Sequence, residues 1–192
     1  DDPQGDWTRY DAVVLRSTWD YHKRIGEFYN WLDHLRENDV RLINADGIIR
    51  WNTDKTYLRT LDDAGIPFIP TIWGNHDTQL SAVFDQTNWE EIIIKPKYGA
   101  TAYGAWTLKR GDPIPQKSLT DHLIQPVMPQ VRDGEHSLVF FGGVYSHTIL
   151  KQAAADTIFV QSEYGGKETS FNSDETTIAE AKQVLTTAAT HI

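Results

Sequence analysis

Apolar residues come in short bursts whose period changes along the chain. Ala12–Leu15 reads as a short buried strand. Ile25, Phe28, Leu32 and Leu35 then recur at helical spacing and predict an amphipathic helix over roughly Arg24–Glu37. Val40–Ile43 returns to a strand pattern, so the opening is β-loop-α-β, the start of an open α/β layer. Asn52 or Thr53 is suited to cap a second helix with Tyr57, Leu58, Leu61 and Ala64 on one face. Gly65 offers a left-handed stop and Pro67 prevents continuation. A weaker third helix is expected from Asp77 or Thr78 through Leu80, Val83 and Phe84.

The pattern then turns to alternation. Glu91–Lys95, Ala102–Lys109 and Leu123–Met128 read as strands between Gly- or Pro-bearing turns. Ser137–Phe141 and Val144–Leu150 flank Gly142-Gly143, a two-residue hairpin signal. Ser173 is placed to cap a last helix striped by Ile178, Ala181, Leu185, Ala188 and Ile192. The sum is an α+β protein in three parts: a partial N-terminal α/β lobe with its linking helix (1–71), a small mixed subdomain (72–122) and an antiparallel β-rich subdomain (123–192).

Composition narrows the function classes. The chain of 192 residues carries 27 acidic against 18 basic side chains, a net charge of −9, which argues against a nucleic-acid partner. The longest apolar runs, such as Ser137–Gly142, are far too short to span a bilayer, and no signal peptide opens the chain, so a cytoplasmic protein without a membrane partner is expected. From the polar opening without Met and the apolar last helix, natural ends beyond both termini are expected. Absence of cysteine excludes disulfides, thiolate metal sites and cysteine nucleophiles. The seven histidines show no zinc spacing.

One stretch breaks the acidic trend. Between Ile92 and Gly111, Lys95, Lys97, Lys109 and Arg110 occur without a single carboxylate, a cationic island suited to an anionic ligand. Within it, Ile92-Ile93-Ile94 delivers Lys95, and Gly99-Ala100-Thr101-Ala102 follows as a run of small residues whose backbone N–H groups can approach phosphate oxygens. The spacing is not that of a P-loop, and a ligand-free flexible hairpin is the commoner source of such a loop. Lys55 as a surface lysine, Gln125 as an edge-strand residue and Glu135 as a turn residue are equally ordinary when taken singly.

Their order is not ordinary. Arg16-Ser17-Thr18-Trp19-Asp20-Tyr21, Asn52-Thr53-Asp54-Lys55, Gly65-Ile66-Pro67 with Pro70-Thr71, Ile94-Lys95-Pro96, Gln125-Pro126, Gly134-Glu135-His136-Ser137-Leu138, Tyr145-Ser146-His147 with Lys151, and Val160-Gln161 with Tyr164-Gly165-Gly166 run through nearly the whole chain. This ordered set resembles the ATP-grasp superfamily, on the branch of prokaryotic glutathione synthetase and the cyclo-ligase of D-cycloserine biosynthesis. The resemblance implies an ATP-grasp-like fold and an ATP- and Mg2+-dependent ligase joining a carboxylate to an amine through an acyl-phosphate. It implies small-molecule substrates, with a homodimer as one assembly option. Lys55 and Lys95 would hold the nucleotide, the loop at Gly99, Thr101 and Ala102 would close over its phosphates, and Gln125, Pro126, Val127 and Met128 would form the adenine hinge. Glu135 would face the ribose or substrate, Lys151 the phosphates or acyl-phosphate, and Arg16, Trp19 and Asp20 the substrate side.

Two departures from the family pattern stand out. The family's metal ligands lie on a strand after the last helix, so they are expected beyond Ile192; Glu135, Asp156 and Glu163 do not match that motif. The family's Phe-Arg before Val-Gln is Ile158-Phe159 here. A non-catalytic nucleotide-binding or interaction module and, more remotely, an ATP-grasp-like small-molecule kinase therefore remain as alternatives.

Overall fold

The structure, a computed structural model, describes residues 5–16, 18–155 and 157–192. Ser17 of the Arg16–Tyr21 motif and Asp156 lie outside the described residues. The N-terminal part opens with β1 (Val13–Val14), α1 (Ile25–Glu37) and β2 (Leu42–Ile43), with β1 and β2 parallel. Val13 and Leu42 join Leu15, Phe28 and Leu32 in a core against α1, the stripe that the period of the sequence predicts.

The next segment differs from expectation. Asn52 and Thr53 cap nothing; they end a helix of their own, α2 (Asp46–Thr53), and the expected helix starts later as α3 (Tyr57–Asp63). Low helix propensity at Gly47, Asn52 and Thr53 hides α2. Its stability comes from contacts: Ile49 packs on the α1 core, and Arg50 bonds Asp46 at 2.8 Å and Asp33 of α1 at 2.9 Å. Lys55 therefore sits in the turn between two helices, not on a helix. The far end of α3 behaves as predicted. Gly65 takes φ +75°, its N–H donates to Asp62 O, and Ile66 N–H donates to Leu61 O, a Schellman closure.

The central sheet is antiparallel, with strand order β3 (Ile72–Trp73), β6 (His122–Pro126), β4 (Glu91–Pro96) and β5 (Trp106–Lys109). Because β6 is part of it, this sheet runs past the 72–122 division drawn from sequence. Pleating sorts β4 by parity. Ile92 and Ile94 join Leu108, Ile124 and the residues Leu80, Val83 and Phe84 of α4 (Leu80–Gln86) in one core, leaving Ile93 and Lys95 to the opposite face. Helix α4 begins after Asp77 and Thr78, which are held in a turn by Asn75: its Oδ1 accepts from Asp77 N–H, and its own N–H donates to Thr78 Oγ1. The strand expected from Ala102 starts only at Trp106. Thr101, Ala102 and Gly104 take φ of +50°, +57° and +70°, which no strand accommodates.

The last part is a three-stranded antiparallel sheet of β7 (Glu135–Phe141), β8 (Val144–Gln152) and β9 (Lys167–Phe171), followed by α5 (Glu175–Ala189). Gly142 and Gly143 both have positive φ, as a type I′ turn demands. Asp174, not Ser173, caps α5, its carboxylate accepting from Thr177 N–H at 2.8 Å; Ser173 instead bonds the buried Thr148 hydroxyl. Leu185, assigned to the buried stripe of α5, is exposed.

Candidate functional site

A cleft of about 530 Å³ opens between the lysine-bearing face of the central sheet and the start of the three-stranded sheet. Its lining includes every residue assigned to the nucleotide from sequence: Lys55, Lys95, Gly99, Thr101, Ala102, Gln125, Pro126, Val127, Met128 and Glu135. Ile69, Ile93, Tyr103 and the segment Ile158–Gln161 complete the wall. Ile69 and Tyr103 carry no pattern in the sequence that marks them.

Local geometry explains each placement. Lys95 and Ile93 share the cleft face of β4, and Gln125, paired with Ile93 across to β6, points the same way. Lys95 Nζ donates to Gln125 Oε1 at 3.1 Å, and Gln125 is buried at 5% exposure. Lys55 enters from the α2–α3 turn. Its Nζ donates to Gly99 O at 2.9 Å and Lys97 O at 3.5 Å, while its backbone N–H also donates to Lys97 O. The second lysine thus holds the small-residue loop by its carbonyls, a contact across 44 residues of sequence.

The electrostatics favour an anion. Burial pulls the Lys55 pKa down to about 8, with the charge of Lys95 as the next cause. Burial likewise lowers the Lys95 pKa, and the carboxylate of Glu135 opposes it. Two desolvated ammonium groups on one cleft gain most when an anionic group arrives between them. Val127, Met128, Ile93 and Ile69 supply apolar surface nearby, suited to a planar ring. Gly99 sits in a tight place: a Cβ there would meet the Pro96 ring at 3.1 Å and Lys55 Nζ at 3.3 Å.

The loop is also tied to the N-terminal part. Tyr103 packs against His22 at 4.7 Å between ring centroids with the rings tilted by 51°, and Tyr98 meets Tyr29 edge-on at 6.5 Å. Both ring nitrogens of His22 are buried without a hydrogen-bond partner among the described residues. Burial, then the cations Lys23 and Lys55, lower its pKa and keep the imidazole neutral.

The residues assigned to catalysis fall elsewhere. Lys151 does not line the cleft; on β8 it lies opposite Glu135 of β7 and Glu168 of β9, so it shares a sheet face with the cleft residue Glu135. Arg16 is exposed at the end of β1 and does not line the cleft either. Asp20 is paired with Arg24 at 2.8 Å just before α1, and that hydrogen bond holds its carboxyl below the usual range. Among the described residues, no group of three or more His, Asp or Glu side chains comes together to hold a metal ion. At Phe159, where the family has arginine, the ring packs against Tyr164 at 5.2 Å and lines the cleft.

Comparison with known proteins gives the relatives of the chain. Residues 1–44 match the family described as D-cycloserine synthetase DcsG, N-terminal domain. The cycloserine biosynthesis protein DcsG of Streptomyces lavendulae is 34% identical over 162 residues, 77% of this chain and 54% of that protein, so the chain spans about half the length of this curated relative. The crystal structure of D-cycloserine synthetase DcsG matches with a TM-score of 0.83 and 31% identity, covering 99% of this chain and 69% of the other. The ATP-grasp ligase PsnB shares the fold alone, with a TM-score of 0.56 and 19% identity over 94% of this chain and 61% of that one. At 31% identity over 69% of the solved D-cycloserine synthetase, the chain belongs to the DcsG family.

Proposed function

We propose that the protein to which this chain corresponds is an ATP-dependent ligase that joins a carboxylate to an amine through an acyl-phosphate. The observation that carries this reading is the convergence of Lys55 and Lys95, from distant parts of the chain, with the small-residue loop and the Gln125–Met128 hinge on one cleft. ATP supplies the phosphoryl group that activates the carboxylate. Phosphoryl transfer asks the protein for alignment and charge neutralisation more than for covalent chemistry. Lys55 and Lys95 provide the positive charge, and the backbone N–H groups of Gly99–Ala102 provide donors. Val127 and Met128 cover the base, and Glu135 accepts from ribose hydroxyls. The loop, tied down by Lys55 and Tyr103, excludes the water that would hydrolyse an activated acyl group. Lys151, on the strand beside the cleft residue Glu135, and Arg16 and Asp20 of the N-terminal part are assigned to the substrate side, outside the nucleotide cleft. Mg2+ is implied by the family, but the described residues do not form a cluster that fits it.

Calorimetric titration with a non-hydrolysable ATP analogue tests the site. Lys95→Ala is expected to weaken binding at least about tenfold, the loss of one charge-assisted hydrogen bond. Unchanged affinity in that variant would sink the nucleotide assignment. In the protein with its substrates, phosphate release should require both a carboxylate and an amine.

Phe159 favours a second reading. An aromatic side chain packed on Tyr164, at the position where the family has a phosphate- or substrate-facing arginine, suits a module that binds nucleotide without turnover. Tight analogue binding with no phosphate release under any substrate pair would select that reading.

A further inference from the structure

A chain of hydrogen bonds runs from Lys95 away from the cleft, and its direction is forced. An ammonium group only donates, so the atom of Gln125 that faces Lys95 Nζ at 3.1 Å is the carbonyl oxygen. The Gln125 amide nitrogen then faces Thr71 Oγ1 at 2.8 Å. The single hydroxyl proton of Thr71 goes to Ile69 O, also at 2.8 Å, which leaves a lone pair to accept from Gln125. Each donor meets an acceptor in only one arrangement. Flipping the Gln125 amide would set an NH2 group against the ammonium, and satisfying the flipped carbonyl would take the Thr71 proton away from Ile69 O. Gln125 is 5% exposed, so water has little room to repair such a mismatch.

The backbone holds these groups in line. Ile72 of β3 pairs with Ile124 of β6, so Thr71 arrives opposite Gln125, and Gln125 in turn pairs with Ile93, next but one to Lys95 on β4. Thr71 therefore reaches Lys95 through another side chain across three adjacent strands.

We propose that Thr71 is a positioning residue: by fixing the orientation of the Gln125 amide it keeps the Lys95 ammonium charged and aimed at the anionic ligand. This rests on the nucleotide reading of the cleft. The role is electrostatic, because valine would fill the volume of Thr71 and change only the hydrogen bonds. The other charged groups bearing on the two cleft lysines are Glu135, which acts on Lys95, and Lys95 and Asp54, which act on Lys55; none is altered by the substitution.

Two readouts on the full chain test it. In calorimetric titration with a non-hydrolysable ATP analogue, Thr71→Val should weaken binding about tenfold, with only the small fall in melting temperature that one unpaired buried amide N–H brings, and Thr71→Ser should return binding to within about twofold. In competitive acetylation at about pH 8, with the rate read by peptide mass and normalised to exposed Lys182, Lys95 should react several-fold faster in Thr71→Val, because the free amine is the reactive form. Thr71→Ala serves as the second variant should valine perturb folding. Wild-type affinity together with wild-type Lys95 reactivity in Thr71→Val would overturn the proposal. Absence of analogue binding by the unaltered chain would bring down the nucleotide reading instead, and the acetylation rate alone would then decide the role of Thr71.

Discussion

Lys55 is the residue whose chemistry is most sensitive to its surroundings. With a pKa of about 8 in the folded chain, it is charged at neutral pH and loses its charge just above. An anion prefers the charged form, so analogue affinity should fall as pH rises through about 8, by at most about tenfold per pH unit for one proton. Lys55→Arg should abolish that alkaline limb, since guanidinium stays protonated throughout; a limb that survives the arginine variant would assign it to another group. The same shift bears on stability with a definite sign. The folded pKa lies below the ordinary lysine value of 10.5, so between about 8 and 10.5 the unfolded chain binds more protons, and stability rises with pH across that window. That a lysine occupies position 55 is plain in the sequence. That it leaves a turn and grips carbonyls at 97 and 99 is not, because the signals of Asn52 and Thr53 point to a cap that the chain does not use.

At the scale of elements, the β7–β8 hairpin is decided by two residues. Gly142 and Gly143 have φ of +56° and +81° with nothing within 4 Å of a built Cβ, so a substitution there is felt in the backbone alone. Gly143→Ala should cost about 1–2 kcal/mol, measured by denaturant unfolding with an unchanged slope; a neutral effect would mean that the turn relaxes to another type. The junction of α1 and α2 rests on charge instead. Arg50 bridges Asp33 and Asp46, and Arg36 reaches both carboxylates as well. Arg50→Met should lower stability by about 1 kcal/mol, the range of a partly exposed network, and 1 M salt should shrink the difference. The hairpin and the Gly65 stop are readable in sequence because their geometry is local. Helix α2 and strand β9 are not: α2 has weak propensity, and β9 is Lys-Glu-Thr-Ser-Phe, exposed throughout and made a strand only by pairing with β8.

Across the whole molecule, the small-residue loop joins parts that are remote in sequence. His22 and Tyr29 of the N-terminal part meet Tyr103 and Tyr98, and Lys55 holds Gly99. The two successive left-handed residues Thr101 and Ala102 cost about 1–2 kcal/mol each and persist because these contacts over-determine them. His22→Ala should therefore speed amide hydrogen exchange over residues 98–105 while leaving α1 protected; uniform exchange in both would mean that the contact does not restrain the loop. Among the described residues no helix is long and apolar enough to cross a membrane.

What the sequence determined by itself is what short-range physics writes into it. The period of Ile25, Phe28, Leu32 and Leu35 set α1, and the run Ile92–Ile94 before Lys95 set β4. The glycines at 65, 142 and 143 set a helix end and a hairpin, and the order of motifs marked the family and a set of residues that line one cleft. What only the tertiary structure decided is where groups meet across long separations. Lys55 comes to Gly99, His22 comes to Tyr103, and Thr71 comes to Lys95 through Gln125. Arg16, Asp20 and Lys151 stand outside the cleft lining. Hydrogen-bond direction and burial act on atoms that share a place in space, and no periodicity along a chain records which residues from distant strands will share it.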